Sequence, residues 1–429
     1  MNIIERGRAF VQGLRELAER SAWNWGRCPH CGSRRTVKYG SYSRHPWTLK
    51  GRITVQVPRH LCHECERTYS ETSAWLVRRS WYGRGAHRCA IDHWMHGRTS
   101  LRRTAEFVRS WLGHQERWLL WRPLGEGPAP TGCCFLSAST VHRWLDRAGI
   151  EAKRSVAGQL TGIPCSGEMG TDGLWARLRG GGKRVVLALV DSVSGVIWPP
   201  VVAADEESAT SWRQLFRRAE TAGLVLDSLD GITSDGARGL LSYLRQALSW
   251  VHQQRCVWHL WRNLGGRTAQ QIQKAVAGLV EEEARRARKC LRRELSVLVR
   301  AIFDASSYEQ GEQALSSLAA HPWGNALACF LHPLLDAALM HLLPCHRGLL
   351  RVSPEWYWRD FRQRLSRGRN HGSNQRLERA SLVWAVYYNF TPAQRRYEHK
   401  RHYRRPGQSP LDMAGVPPGP ISYLDALHV

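Results

Sequence analysis

The spacing of apolar residues changes repeatedly along this 429-residue chain, and each change predicts a new element. Residues 1–25 carry apolar side chains at helical spacing among charges and predict one amphipathic helix. Residues 36–39 and 53–58 are short β-rich stretches. From 84 to about 150 the spacing is helical again. GRTSLRRTAEFV predicts a helix capped by Thr99 or Ser100, with Leu101, Ala105 and Val108 on its apolar side. LSASTVHRWLDRAGI predicts a second helix, capped by Ser137 or Ser139 and ended near Gly149. The segment between them is too long for a simple turn, and GEGPAPTG within it is a loop.

From Gly167 the pattern turns to strands. Residues 170–178 open a strand bearing Asp172. Residues 184–191 hold the run VVLALV, expected of a strand covered on both faces. After the turn SVSG, residues 196–203 form a third strand, which Pro199 and Pro200 assign to an edge or a bulge. Trp212, Leu215, Phe216 and Ala219 mark an amphipathic helix over 208–222. A strand over 231–235 ends in Asp235, a helix follows over 237–248, and 254–258 is a fifth strand. Residues 268 to about 351 are almost wholly helical, and EEEARRARK there is a solvated face with i,i+4 ion pairs. Helix resumes at Asn374 with NQRLERASLVWAVYYNF. The end, HKRHYRRPGQSPLDMAGVPPGP, predicts a loosely packed basic tail.

Charge changes the picture. Lys and Arg number 62 against 36 Asp and Glu, a net charge of +26. Such an excess, rich in arginine, points to a polyanion partner such as nucleic acid. No apolar run reaches the roughly 18–20 residues that span a bilayer, so the expectation is a cytoplasmic, nucleoid-associated protein without a membrane partner. Twelve cysteines in such a chain do not suggest a disulfide framework. Cys28 and Cys31 in CPHC, and Cys62 and Cys65 in CHEC, form two knuckles of a zinc ribbon. Four thiolates complete a tetrahedral Zn²⁺ shell, so the expected site is structural, and His30 and His63 are surface residues. Arg34, Arg35, Lys38, Arg44, Lys50 and Arg52 around it favour DNA contact. The two helices between 81 and 155 resemble a helix-turn-helix whose second helix would bring His142 and Arg143 to a major groove.

Asp172 in TDG and Asp235 in SDG each end a strand before a glycine, which leaves room for a metal and a phosphate. Asp191, Asp205 and Asp230 are nearby competitors. Glu378 is a third acid, with Glu355 and the run 281–283 as rivals. Together with QRCVWHLWRN, which holds Cys256 and His259, and SNQRLE, which ends at Glu378, these motifs resemble the catalytic domain of Mutator-related insertion-sequence transposases. The resemblance covers 172–264 and 374–381. It implies an α/β RNase H-like fold with a helical insertion. It also implies an Asp172, Asp235 and Glu378 triad that binds Mg²⁺ (or Mn²⁺), and a C-x-x-H pair at Cys256 and His259. His259 would either donate to a scissile phosphate or orient an acid, and the alternative is that the pair packs strand on helix. Arg255 and Arg262 are suitable phosphate contacts.

The expected organisation is an N-terminal helix and zinc ribbon (1–80), a helix-turn-helix-like domain (81–155) and the first part of the catalytic core (165–264). A helical insertion (265–365), the last core helix (366–400) and the basic tail (401–429) follow. The expected function is a DNA transposase, at least dimeric on double-stranded DNA, that cleaves 3′ ends and joins them to a target. A DNA-binding regulator and a structure-specific nuclease or resolvase are the rival functions.

Overall fold

The computed structural model describes residues 27–49, 51–71, 73–97, 99–112, 136–203, 207–346, 349–352, 357–359, 361–362, 371–392 and 407–429. The predicted N-terminal helix, the loop 125–132, Asp205, Glu355 and the start of the basic tail lie outside them.

Strands β1 (Thr36–Arg44), β4 (Val55–Cys62) and β5 (Thr68–Ser70) form an antiparallel sheet in the order β1-β4-β5, and β2 (Trp47–Thr48) pairs with β3 (Gly51–Arg52). The side chains of β1 are almost all exposed. Within 27–71 Cys28, Val57 and Cys62 are the buried apolar residues. A sheet this thin has no hydrophobic core of its own, so its stability must come from the cysteine site.

Helices α1 (Arg84–Gly97), α2 (Leu101–Trp111) and α3 (Ala138–Gln159) follow. Of the competing caps, Ser100 and Ser137 serve: their side chains accept the backbone N–H groups of Arg103 and Thr140. Gly149 does not end α3, which continues ten residues further to Gln159. At this position α3 crosses a later helix, and a Cβ would collide with Arg379. The glycine permits a close helix crossing.

The central sheet contains β6 (Glu168–Arg177), β7 (Lys183–Asp191), β8 (Val201–Ala203), β9 (Gly231–Ser234) and β10 (His252–Arg255), in the order β10-β9-β6-β7-β8. β7 runs antiparallel to both of its neighbours, β6 and β8, while β9 and β10 lie parallel to β6. Every residue from Val185 to Val190 is buried, as the continuous apolar run requires. The prolines shorten the third strand to β8 at the sheet edge, leaving only a bridge from Ile197 to Val190 upstream. Helices α4 (Ala209–Thr221) and α5 (Arg238–Ala247) connect β8, β9 and β10. The fifth strand ends at Arg255, and Cys256 caps α6 (Val257–Ala275), so Trp258 and His259 belong to a helix rather than to the predicted strand.

The insertion, α7 (Glu281–Phe303), α8 (Tyr308–Ala320), α9 (Asn325–Leu331) and α10 (Leu335–Leu339), packs with α6 around a second core that includes Leu260, Leu295, Ile302, Leu318 and Leu339. Contrary to the expectation that no apolar run reaches spanning length, the segment Asn325–Leu342 is by length and composition long and apolar enough to cross a membrane. It is broken at His332–Leu334, and Leu327, Leu331 and Leu339 bury themselves in this core.

The last long helix, α11 (Asn374–Phe390), is buried on all sides from Ser381 to Phe390. Asn389 fastens it to the sheet, accepting from Ile197 N (2.8 Å) and donating to Ile197 O (2.9 Å). The described part of the C-terminus is not a loose tail. α12 (Pro410–Met413) and α13 (Tyr423–Ala426) each begin with a Ser capping box. Leu411, Val416, Tyr423 and Leu427 join the main core, Tyr423 Oη donates to Asp92, and Arg88 pairs with Asp425. The apolar residues interspersed among the prolines outweigh the basic composition of the segment.

Candidate active site and metal centre

The register of β6 and β9, continued two residues past its last pair, sets Asp172 of β6 opposite Asp235, which follows β9. Glu168, Met169 and Gly170 pair with Gly231, Ile232 and Thr233, and this constant offset carries Asp172 to Asp235. Neighbouring strands are separated by about 4.8 Å, so the two carboxylates leave the sheet from adjoining positions. Asp172 does not end its strand as expected: it is the fifth of the ten residues of β6, because pairing with β7 continues to Arg177. It is 5% exposed, and its Oδ1 accepts from Gly173 N (2.8 Å). Asp235 follows β9, and its Oδ1 accepts from Ala237 N (2.8 Å), which fixes the turn into α5. Cys256 N donates to Ser234 O (2.7 Å), so Cys256 takes the matching level beyond β10.

The glycines after the two aspartates do not leave open space. A Cβ at Gly173 would strike the Glu207 carboxylate, and one at Gly236 would overlap the Arg255 guanidinium. Both gaps are filled by side chains that come from elsewhere in the fold. Burial first, and then the charge of Asp235, push the Glu207 carboxyl up to about 7. Burial lowers the pKa of Arg255, while Asp235 opposes the shift. The site therefore includes Glu207, which sequence reading missed. Glu207 precedes α4 in a polar linker, and nothing in its spacing marks it. Arg255 is half-buried against Asp235 and is not a free surface contact.

Glu378 lies in the first half of α11. One turn earlier, Asn374 Oδ1 accepts from Arg184 Nε on β7 (2.7 Å), which aligns this part of the helix over the sheet. Glu378 Oε1 pairs with Arg218 Nη1 of α4 at 2.5 Å, and the same nitrogen donates to Pro200 O at 2.8 Å. Asp172 pairs with Ala188, and Leu187 pairs with Val201, so Pro200 comes opposite Ala188. Arg218 thus bonds the backbone opposite Ala188, the β7 partner of Asp172. Among the described residues the four cysteines are the one group of three or more metal-ligating side chains drawn together. Asp172, Asp235 and Glu378 do not form such a group.

His259 lies in the first turn of α6, buried against the Trp258 ring (4.8 Å between centroids). Arg262 is exposed and lies 5.2 Å over the Trp258 ring. Arg143 is exposed on α3 and donates to Thr140 Oγ1 (3.1 Å). His142 lines an internal pocket with His371, Arg376 and Arg379 of the α11 region, and burial lowers its pKa. α3 buries Val141, Trp144, Ala148 and Ala152 in the core that continues into the sheet, so much of the predicted reading helix is turned inward.

The metal centre is built from two equivalent turns. Cys28 N donates to Ser33 O, and Cys62 N donates to Arg67 O, five residues on in each case. The left-handed position is Gly32 (φ 77°) in the first turn and Glu66 (φ 57°) in the second. All four ligand atoms lie within 4.8 Å of one another, with Cys28–Cys65 and Cys31–Cys62 Sγ separations of 3.6 Å. A Zn–S bond of about 2.3 Å gives a tetrahedron edge of about 3.8 Å, so the cluster can hold zinc. The backbone N–H of Cys65 draws the Cys62 thiol down to about 7 against desolvation. His30 and His63 are exposed, as four sulfur ligands require.

A basic chain with a four-thiolate ribbon and a carboxylate-bearing mixed sheet has the features of a protein that acts on nucleic acid. Residues 200–347 match the family model of Mutator-family transposases. The match supports a transposase, an enzyme that works on DNA. It runs from β8 through the insertion and includes Asp235, Arg255 and His259, but not Asp172, Glu378 or the ribbon. No curated protein matches the chain.

Proposed function

We propose that the protein is a DNA transposase whose central sheet is an RNase H-like core and whose metal-binding acids are Asp172, Asp235 and Glu378. The observation that carries this reading is the register that sets Asp172 of β6 opposite Asp235, which follows β9 and lies inside the matched family region. The sheet order β10-β9-β6-β7-β8, with β7 and β8 antiparallel, supports the fold assignment. Two aspartates at adjoining strand positions suit Mg²⁺, which takes a few carboxylates and keeps water and phosphate oxygens. Mg²⁺ held there would stabilise negative charge on the attacking and leaving oxygens of a phosphodiester.

The chain's own residues do the remaining work. The Ala237 N–H orients Asp235. Arg255 offsets the mutual repulsion of Asp235 and Glu207. His259, at the start of α6, orients an acid or donates to the scissile phosphate. Glu378 completes the set from α11 once it leaves Arg218. The protein recognises the ends of its element through the ribbon and the α1–α3 region, with Arg143 and Arg262 among the exposed cations. It cleaves 3′ ends with water, and the freed 3′-hydroxyl then attacks target DNA. Pairing two ends requires at least a dimer.

The test is strand transfer in Mg²⁺ with DNA carrying the element's ends, comparing wild type with Asp235→Ala. Joined products that disappear in the variant while end binding persists are expected. End binding without cleavage by the wild type would make the protein a regulator. Cleavage of branched DNA without joining would make it a resolvase.

A further inference from the structure

A cleft of about 950 Å³ opens between β1 of the ribbon and the segment 78–81 that leads into α1. Its fourteen lining residues include Arg44, Arg78, Arg79, Tyr42, Tyr69 and Trp81, and none of the fourteen is acidic. Trp81 is 74% exposed, the most exposed aromatic side chain among the described residues. Arg78 and Arg79 are exposed beside it.

The corner that presents these groups is firmly constructed. Arg44 Nη2 donates to the carbonyls of Val77 (3.1 Å) and Ser80 (2.5 Å), tying the corner to β1. Tyr82 N donates to Ser80 Oγ (3.0 Å), and Trp47 N donates to Trp81 O (2.8 Å). Arg79 is held at φ 54°, a left-handed conformation that costs a non-glycine residue about 1–2 kcal/mol. A fixed backbone thus holds an indole in water and two guanidinium groups at a strained turn. Packing does not explain that exposure.

We propose that this cleft binds unpaired nucleotides of a DNA strand, with bases stacked on Trp81 and Tyr42 and phosphates held by Arg78 and Arg79. Duplex DNA offers a protein mainly phosphates and base edges, and an exposed ring in a concave wall gains little from either. Unpaired bases present whole π-faces, which stack on aromatic side chains irrespective of sequence. An acid-free, arginine-bearing wall meets the phosphates of the same strand. The proposal rests on the transposase reading only in naming DNA as the polyanion. It assigns the ribbon the role of holding a frayed or displaced strand.

The experiment measures binding of the full-length, zinc-loaded protein without added Mg²⁺. The probes are a blunt duplex and the same duplex with a single-stranded oligothymidine tail. Trp81→Ala is expected to weaken tailed-duplex binding about ten-fold and leave the blunt duplex unchanged. Trp81→Phe, which keeps a stacking face, should restore most of the difference. Arg78→Ala with Arg79→Ala should weaken tailed binding and reduce its salt dependence. Zinc content and melting temperature should stay at wild-type values in Trp81→Ala, because the side chain is mostly in solvent. Equal affinity of wild type and Trp81→Ala for the tailed probe would overturn the proposal, and so would equal weakening on both probes. Strand transfer is scored separately: tail selectivity without joining keeps the cleft and removes the transposase reading, and joining without tail selectivity does the reverse.

Discussion

Arg255 lays its guanidinium in the space that a side chain at Gly236 would need, next to Asp235. Gly236 also has φ 76°. Two separate physical constraints thus converge on one glycine.

Gly236→Ala should therefore be severe. The left-handed backbone alone costs about 1–2 kcal/mol, and the new methyl must displace Arg255. Urea melts should show a loss of at least that size, with strand transfer abolished. Arg255→Ala in the Gly236→Ala background should recover the part of the stability lost to the clash, leaving the left-handed strain, but should not recover activity, since Asp235 loses its cation. Unchanged stability in Gly236→Ala would refute the packing argument.

The Arg218–Glu378 ion pair makes a different prediction. If Arg218 competes with Mg²⁺ for the carboxylate, Arg218→Ala should lower the Mg²⁺ concentration that gives half-maximal joining, and Glu378→Gln should abolish joining. Titration of the rate with Mg²⁺ decides the point. A raised Mg²⁺ requirement in Arg218→Ala would mean that the arginine positions Glu378 for metal binding.

Glu207 gives a pH signature. Its carboxyl titrates near 7 in the folded protein and near 4.3 when unfolded. Between those values the folded state holds the extra proton, so stability is greatest below the unfolded pKa and is lost as pH rises to about 7. The change is on the order of 3 kcal/mol. Denaturant midpoints of wild type and Glu207→Gln, measured from pH 4 to pH 8, should diverge over that range. Parallel curves would show that Glu207 is not buried beside Asp235.

Zinc removal should unfold the ribbon selectively. A chelator, or Cys62→Ser, should release one zinc per chain and collapse hydrogen-exchange protection over 27–71, while the central sheet stays protected. Glu66→Gly should act in the opposite direction. It relieves a left-handed non-glycine residue in the second knuckle, and should make the ribbon harder to strip by up to about 1 kcal/mol. Global unfolding on zinc loss would mean that the ribbon is integral to the main core.

Much of the candidate site is local and could be read along the chain. VVLALV announced a strand covered on both faces, and observed β7 is buried throughout that run. CPHC and CHEC implied a four-sulfur cluster, and the fold draws the four together. Asp235 marks a strand end because its neighbours switch from an apolar run to a helix start, whereas the strand predicted over 254–258 stops at Arg255. Glu207 was not legible. A carboxylate becomes a site residue by being buried beside another charge, and that neighbour is 28 positions away.

The sequence by itself determined the cysteine knuckles, most of the strand and helix periods, the Ser/Thr pairs from which the caps of α2 and α3 are drawn, and the end of β9 at Asp235. All of these depend on residues within a few positions of one another. Tertiary structure decided what non-local packing must decide. It ran α3 past Gly149 against α11, and folded the C-terminal segment into the core. It filled the gaps at Gly173 and Gly236 with Glu207 and Arg255, and tied Glu378 to Arg218. Each of these depends on which chemically suitable side chain reaches a given space first, and spacing along a chain does not encode that.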